Sequence, residues 1–148
     1  MRRRASGGFE LPVSASVGIG FFTPEGERRW VPGWDPSYPS DEPSESSGTV
    51  FTTEHGDIRT VWVIQEIDRE ACTSVYSRMT PGQHAGTVRV RCEDRPAGHC
   101  VVAVEYDMTA LVPGHADVLD GFNDEHFDAM MGEWAARVTA SLTPGPPA

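Results

Sequence analysis

Residues 117–142 limit what this chain can fold into more than any other stretch. Leu119, Phe122, Phe127, Met130, Met131, Trp134, Val138 and Leu142 recur there at spacings that lay one apolar stripe along a 3.6-residue helix. The spacing predicts an amphipathic helix of about seven turns, at about 3.6 residues per turn. Asp117, Asp120, Asp124 and Glu125 fall in its first turns, where negative charge meets the positive end of the helix dipole, and Pro144 with Gly145 stops it. A helix with Phe, Trp and two Met on one side is not stable alone in water, so the rest of the chain has to supply a concave apolar surface.

Five segments upstream suit that task. Residues 49–54, 59–67, 73–80, 87–93 and 100–111 are rich in Val, Thr, Trp and Tyr and are separated by short runs of turn residues, which predicts an antiparallel meander. Val88, Val90 and Cys92 alternate with Arg89, Arg91 and Glu93, and Val102, Val104, Tyr106 and Met108 alternate with Ala103, Glu105, Asp107 and Thr109, so one face is apolar and the other wet. Segment 59–67 is apolar on both sides, at Val61, Trp62, Val63 and Ile64. Its inward face therefore stays open, and its outer face suggests cover by a second copy or by the N-terminal segment.

Ahead of the meander, residues 9–16 read as an opening strand near a sheet edge because of Pro12. Thr23-Pro24 with Glu25 and Glu27 reads as a helix start, so one or two short helices are expected there. Residues 30–48 hold four prolines and two tryptophans and read as a loop with a mobile acidic portion at 40–47. Residues 1–8 read as a disordered leader with solvated arginines, and 143–148 as a disordered tail, around a single domain at 9–142. The order of elements is α+β: a curved antiparallel sheet wrapped around a long C-terminal helix, with short helices after the first strand.

Charge excludes some partners. With 22 acidic against 12 basic residues the net charge is −10, which argues against nucleic acid and against anionic membrane surfaces. No apolar stretch follows the leader arginines as a signal peptide requires, and no run approaches the ~18 apolar residues of a membrane span, so a cytoplasmic protein is expected. Cys72, Cys92 and Cys100 lack metal-type spacing and read as reduced thiols, with Cys92 and Cys100 facing one another across a hairpin.

This order, together with Phe22-Thr23-Pro24-Glu25-Gly26-Glu27-Arg28-Arg29-Trp30, Pro32-Gly33-Trp34-Asp35-Pro36, Thr60-Val61-Trp62-Val63 and the closing helix with Trp134, resembles the SRPBCC superfamily. That is the START-like, helix-grip group of polyketide cyclases, birch-pollen-allergen-type proteins and lipid-transfer domains. The resemblance covers about residues 9–142, and the Trp-Val-Pro-Gly-Trp-Asp-Pro stretch is similar to small bacterial members. It implies a helix-grip fold with a tunnel for a hydrophobic ligand between sheet and helix, and it implies no reaction.

The candidate ligand-binding residues are Trp30, Trp34, Trp62, Tyr76, Tyr106, Phe122, Phe127, Met130 and Trp134, large flat side chains whose Tyr hydroxyl or Trp N–H groups would orient a polar end. An ordinary packed core uses the same residues, and both readings stand. Trp30 and Trp34, in the Pro-rich loop, fit either a lid over the tunnel mouth or a loop anchor. Asp120, Asp124 and Asp128 share one helical face, but without a pair of His they read as a solvated acidic face, and no metal or cofactor is expected. Glu66, Glu105, Asp107, His84 and His115 are available for acid–base work by type alone. A binding protein for a small hydrophobic molecule, monomeric or homodimeric, is the leading expectation. The alternatives are a cyclase-, dehydratase- or hydrolase-like enzyme using the same cavity, and an interaction or chaperone-cofactor domain without ligand.

Overall fold

A computed structural model, which describes residues 1–40 and 42–142, carries the chain through six antiparallel strands of one sheet and one long helix. The strands are β1 (Arg2–Leu11), β2 (Val50–His55), β3 (Ile58–Asp68), β4 (Thr73–Thr80), β5 (His84–Arg95) and β6 (His99–Ala110), in the order β1-β6-β5-β4-β3-β2. Strands β2 to β6 form the expected meander. β4 begins and ends as expected, β2 and β6 are each shifted by one residue, and β3 and β5 run further at both ends than the turn residues suggested.

The expected leader is a strand. Residues 2–8 pair with β6 from Arg2↔Thr109 onward, and the strand ends at Leu11, ahead of Pro12. On the outer face Arg2 donates to both Asp107 carboxylate oxygens, at 2.7 and 2.6 Å, and holds that carboxyl down at about 2, with Arg4 beside it. Arg3, expected in solvent, points inward and donates to the Leu119 carbonyl at 3.1 Å. The polar composition that suggested disorder is a row of partners for β6. Residues 143–148, the expected tail, lie outside the described residues.

The expected single helix is broken once. Ala116–Phe122 forms a 3₁₀ segment, Asn123 is extended, and α2 runs from Asp124 to Leu142. Asn123 Oδ1 accepts from the His126 backbone N–H at 2.9 Å, an N-cap that starts α2 afresh, and Asp124 and Glu125 occupy its first turn. The break swings Phe122 off the stripe and against Tyr106 and His84. Below it, Phe127, Met131 and Val138 are buried. They come close because Gly7 of β1 carries no side chain: a Cβ there would stand 3.1 Å from Met131 Cγ and 3.2 Å from Phe127 Cε1.

Residues 15–29 fold as α1 (Ala15–Gly18) and two 3₁₀ turns, Ile19–Phe22 and Gly26–Arg29. Thr23 Oγ1 accepts from Gly26 N–H at 3.0 Å ahead of the second turn, whose N-cap position is Glu25 rather than the expected Thr23, and one turn is all that follows. Cys92 and Cys100 are buried beneath α1 as free thiols, with Gly18 packed against them.

The concave face is apolar where alternation placed it, at Val88, Val90, Cys92, Val102, Val104, Tyr106 and Met108. On β3 the inward set is Thr60, Trp62 and Ile64, while Val61 and Val63 face outward and are half-buried. A shift in register between Ile64 and Glu66 bends β3 inward at its end.

Candidate functional site

The nine expected ligand-binding side chains all lie on or over the concave face, and the structure brings most of them together ring against ring. Trp134 reaches from α2 to Trp30 (5.2 Å between centroids), Phe22 (6.1 Å) and Tyr106 (6.4 Å). Tyr106 also meets Phe122 and Phe127. A second cluster on β2 to β4 joins Trp62, stacked on Phe51 at 5.8 Å, with Tyr76 and Trp34. Met130 is half-buried and packs against the core from α2.

Most of their polar handles are taken up locally. Trp30 Nε1 donates to the Phe21 carbonyl at 2.7 Å and Trp34 Nε1 to the Pro24 carbonyl at 2.8 Å, so both indoles tie the Pro-rich loop to the turn at residues 21–24. They are loop anchors. Trp62 Nε1 donates to Thr53 Oγ1 at 2.9 Å, and the Tyr76 hydroxyl to the Phe22 carbonyl at 2.5 Å. The loop is further held by Arg28 to Asp35, by Tyr38 to Glu25 and by Glu45 to Arg69, within the portion expected to be mobile.

Three polar side chains that residue type alone did not single out as a group converge between these clusters. Arg78 shares the inward face of β4 with Ser74, Tyr76 and Thr80, directly opposite Trp62 on β3 and Gly86 on β5. Its guanidinium carbon sits 4.7 Å above the Trp62 ring, and its Nε has no hydrogen-bond partner among the described residues. Glu27, from the second 3₁₀ turn, is close enough for its charge to act on Arg78 and on the two tyrosines, Tyr76 and Tyr106. Burial pushes its carboxyl up to about 8, and the attraction of Arg78 opposes this only in part. Burial likewise lifts the Tyr106 hydroxyl to about 12 and lowers Arg78.

His84 is buried on β5 with the Phe122 ring edge-on at 5.4 Å and its Nδ1 unpartnered. Burial first, and the charge of Arg78 second, hold it below its ordinary value, so it is neutral at pH 7. Although Glu27 and Arg78 sit deep enough for burial to dominate their titration, both keep accessible surface, as do Phe122, Met130 and Trp134. Depressions of about 390 and 450 Å³ lie on the outer sheet face, around Ser6, Arg89 and Glu105 and around Val61, Val63 and Met79. A third, of about 370 Å³, lies along the loop at residues 38–50. None of these is lined by the nine expected residues.

The other acid–base candidates are elsewhere. Glu66, Glu105 and His115 are exposed, and Asp107 is in its outer-face ion pairs. Asp120, Asp124 and Asp128 are exposed, and the break at Asn123 interrupts the face they were expected to share. Arg78 and Glu27 were missed. For Arg78 the signal was its parity with Tyr76 and Ser74; for Glu27, in a single 3₁₀ turn, periodicity offers none.

No protein-family model matches the sequence, and no curated protein matches it. Solved structures do match in three dimensions. Ara h 8.0201 superposes with a TM-score of 0.69 at 13% identity, over 97% of this chain and 100% of that one. Norcoclaurine synthase from Thalictrum flavum, in complex with dopamine and hydroxybenzaldehyde, does so at 0.67 and 10% identity, over 98% and 90%. A protein from Thermobifida fusca solved in solution matches at 0.64 and 17% identity, over 98% and 99%. At such identities the likeness is one of fold.

Proposed function

Because the chain carries the helix-grip fold of the SRPBCC group, we propose that it holds a small hydrophobic molecule between the concave sheet face and α2. The observation behind this reading is the placement of the ring cluster of Trp30, Trp134, Tyr106 and Phe122 next to Arg78 and Glu27, polar groups set deep in the fold. A purely structural core gains nothing from an arginine whose Nε is unpartnered. Because the rings touch one another, a ligand enters by parting Trp134 and Phe122 from Tyr106, which the separate start of α2 at Asn123 permits. The ligand is a lipid-like or aromatic molecule, and the setting is the cytoplasm, where three free thiols stay reduced. The protein works there as a monomer or homodimer.

Native mass spectra of the protein purified from a bacterial host, taken before and after denaturation, test this. A bound apolar mass released on unfolding is the expected result. A protein that is empty as isolated and also fails to take up any of a panel of apolar fluorophores would refute it.

A second reading, acid–base catalysis in the same place, is favoured by one observation: the Glu27 carboxyl titrates near 8 beside Tyr106 and Arg78, so it carries an exchangeable proton at neutral pH. Norcoclaurine synthase shows that the fold accommodates a reaction, though not which one here. Incubating aromatic aldehydes and amines with the protein and following products by mass spectrometry checks it. Turnover that persists unchanged in Glu27→Gln would remove Glu27 from any such role.

A further inference from the structure

Arg78 is a charged side chain in the middle of the concave face. Among the described residues it has no carboxylate within ion-pair distance, whereas Arg2, Arg28, Arg59 and Arg69 all have one. A cation taken out of water without a partner destabilises the fold that buries it. The fold keeps it all the same, over the Trp62 ring with Gly86 opposite, and leaves its Nε unbonded among the described residues. We propose that Arg78, with the Tyr106 hydroxyl and the Glu27 carboxyl beside it, takes the carboxylate of an aromatic acid whose ring system lies among Trp134, Phe122 and Trp30.

The chemistry follows from what each neighbour can do. A guanidinium presents two parallel N–H groups to a carboxylate, and the Trp62 ring beneath it adds a cation–π contact that helps hold it in place. Tyr106 keeps its proton and can donate to the same anion. Glu27 is protonated through neutral pH, so it serves as a further donor and leaves the positive charge free for the ligand. The remaining polar groups that face this place do not compete. Tyr76 is bonded to Phe22, Arg3 to Leu119, and His84 is neutral. A neutral hydrophobic molecule would fill the aromatic part and leave Arg78 buried and unpaired, so the arrangement discriminates by charge rather than by size.

The proposal rests on the interior binding reading above, and one calorimetric experiment separates the two. Titrate the protein at pH 7 with 2-naphthoate and, separately, with the neutral 2-naphthylmethanol. Naphthoate is expected to bind at least tenfold more tightly. Arg78→Met should cost naphthoate tenfold or more while changing naphthylmethanol less than twofold, and Tyr106→Phe should weaken naphthoate several-fold only. Equal affinity of the two probes for the unmodified protein overturns the carboxylate site and leaves the interior binding reading standing. Failure of both probes to bind overturns both. The comparison on the unmodified protein, and Tyr106→Phe, decide the matter even where Arg78→Met does not fold.

Discussion

Replacing Glu27 by Gln should stabilise this protein, and increasingly so as the pH rises from 5 to 8. In the folded chain burial holds the Glu27 carboxyl at about 8 against an ordinary 4.5, so between those values the folded state keeps a proton that the unfolded state releases. Where the folded state binds more protons, stability falls as pH rises. The loss therefore begins near pH 4.5, grows to pH 8 and is constant above it. At about 1.4 kcal/mol per pH unit, Glu27 lowers stability at pH 7 by at most roughly 3 kcal/mol. The side chain keeps accessible surface, and water there softens the penalty, so about 1–3 kcal/mol is the expected figure. Gln has nearly the same shape and no charge. Urea unfolding of both proteins at pH 5, 6, 7, 8 and 9 reads the difference directly. The curves should nearly meet at pH 5, diverge to about 1–3 kcal/mol by pH 7, equivalent to roughly 3–9 °C in Tm for a chain of this size, and open further by pH 8. Other titrating groups cancel in the comparison. Parallel curves, or a Gln variant weaker at every pH, would show that Glu27 is not buried in its charged form and would refute the placement.

Three further substitutions probe the frame around the site. Gly86→Ala puts a Cβ 1.9 Å from the Asp107 carbonyl oxygen, a contact with backbone that only a shift of β5 against β6 relieves; thermal denaturation should show a loss of roughly 3 kcal/mol or more, or no folded protein. Asn123→Ala removes the acceptor for His126 N–H and should lower urea-unfolding stability by about 1 kcal/mol, with little change if α2 is in truth continuous with residues 116–122. Ala97 sits at φ 67° in the exposed turn between β5 and β6, so Ala97→Gly should raise the Tm by a few degrees, about 0.5–1 kcal/mol; an unchanged or lower Tm would argue against that backbone conformation.

Much of the frame was legible because it rests on local periodicity. Period two over residues 87–108 gave the concave face, and period near 3.6 over 127–142 gave the apolar side of α2. The features that escaped depend on partners distant in the chain. Arg-Arg-Arg-Ala-Ser-Gly-Gly has no strand signature of its own, and only Asp107, Leu119 and the space needed by Met131 explain it. The break at Asn123 was written in Asn-Asp-Glu-His, an N-cap with acids behind it, but the apolar stripe running across it outweighed that signal. Arg78 drew no reading from the sequence, and Glu27 read only as an acid in the first turn of a short helix. Their meeting inside the grip is a product of strand parity and one 3₁₀ turn, and the hydrophobic pattern of the chain carries no mark of it.

The pairing of β1 with β6 also sets an order of events. Arg2 meets Asp107 across 105 positions of sequence, so β1 is without its partner until β6 has been made. Closing a loop of that length costs on the order of 4 kcal/mol in chain entropy before any contact offsets it, so the hairpins from β2 to β6 have to form first and offer a finished edge. The N-terminal strand then docks late, and because Gly7 lies under Met131 and Phe127, α2 settles last, sealing the interior only after the sheet is complete.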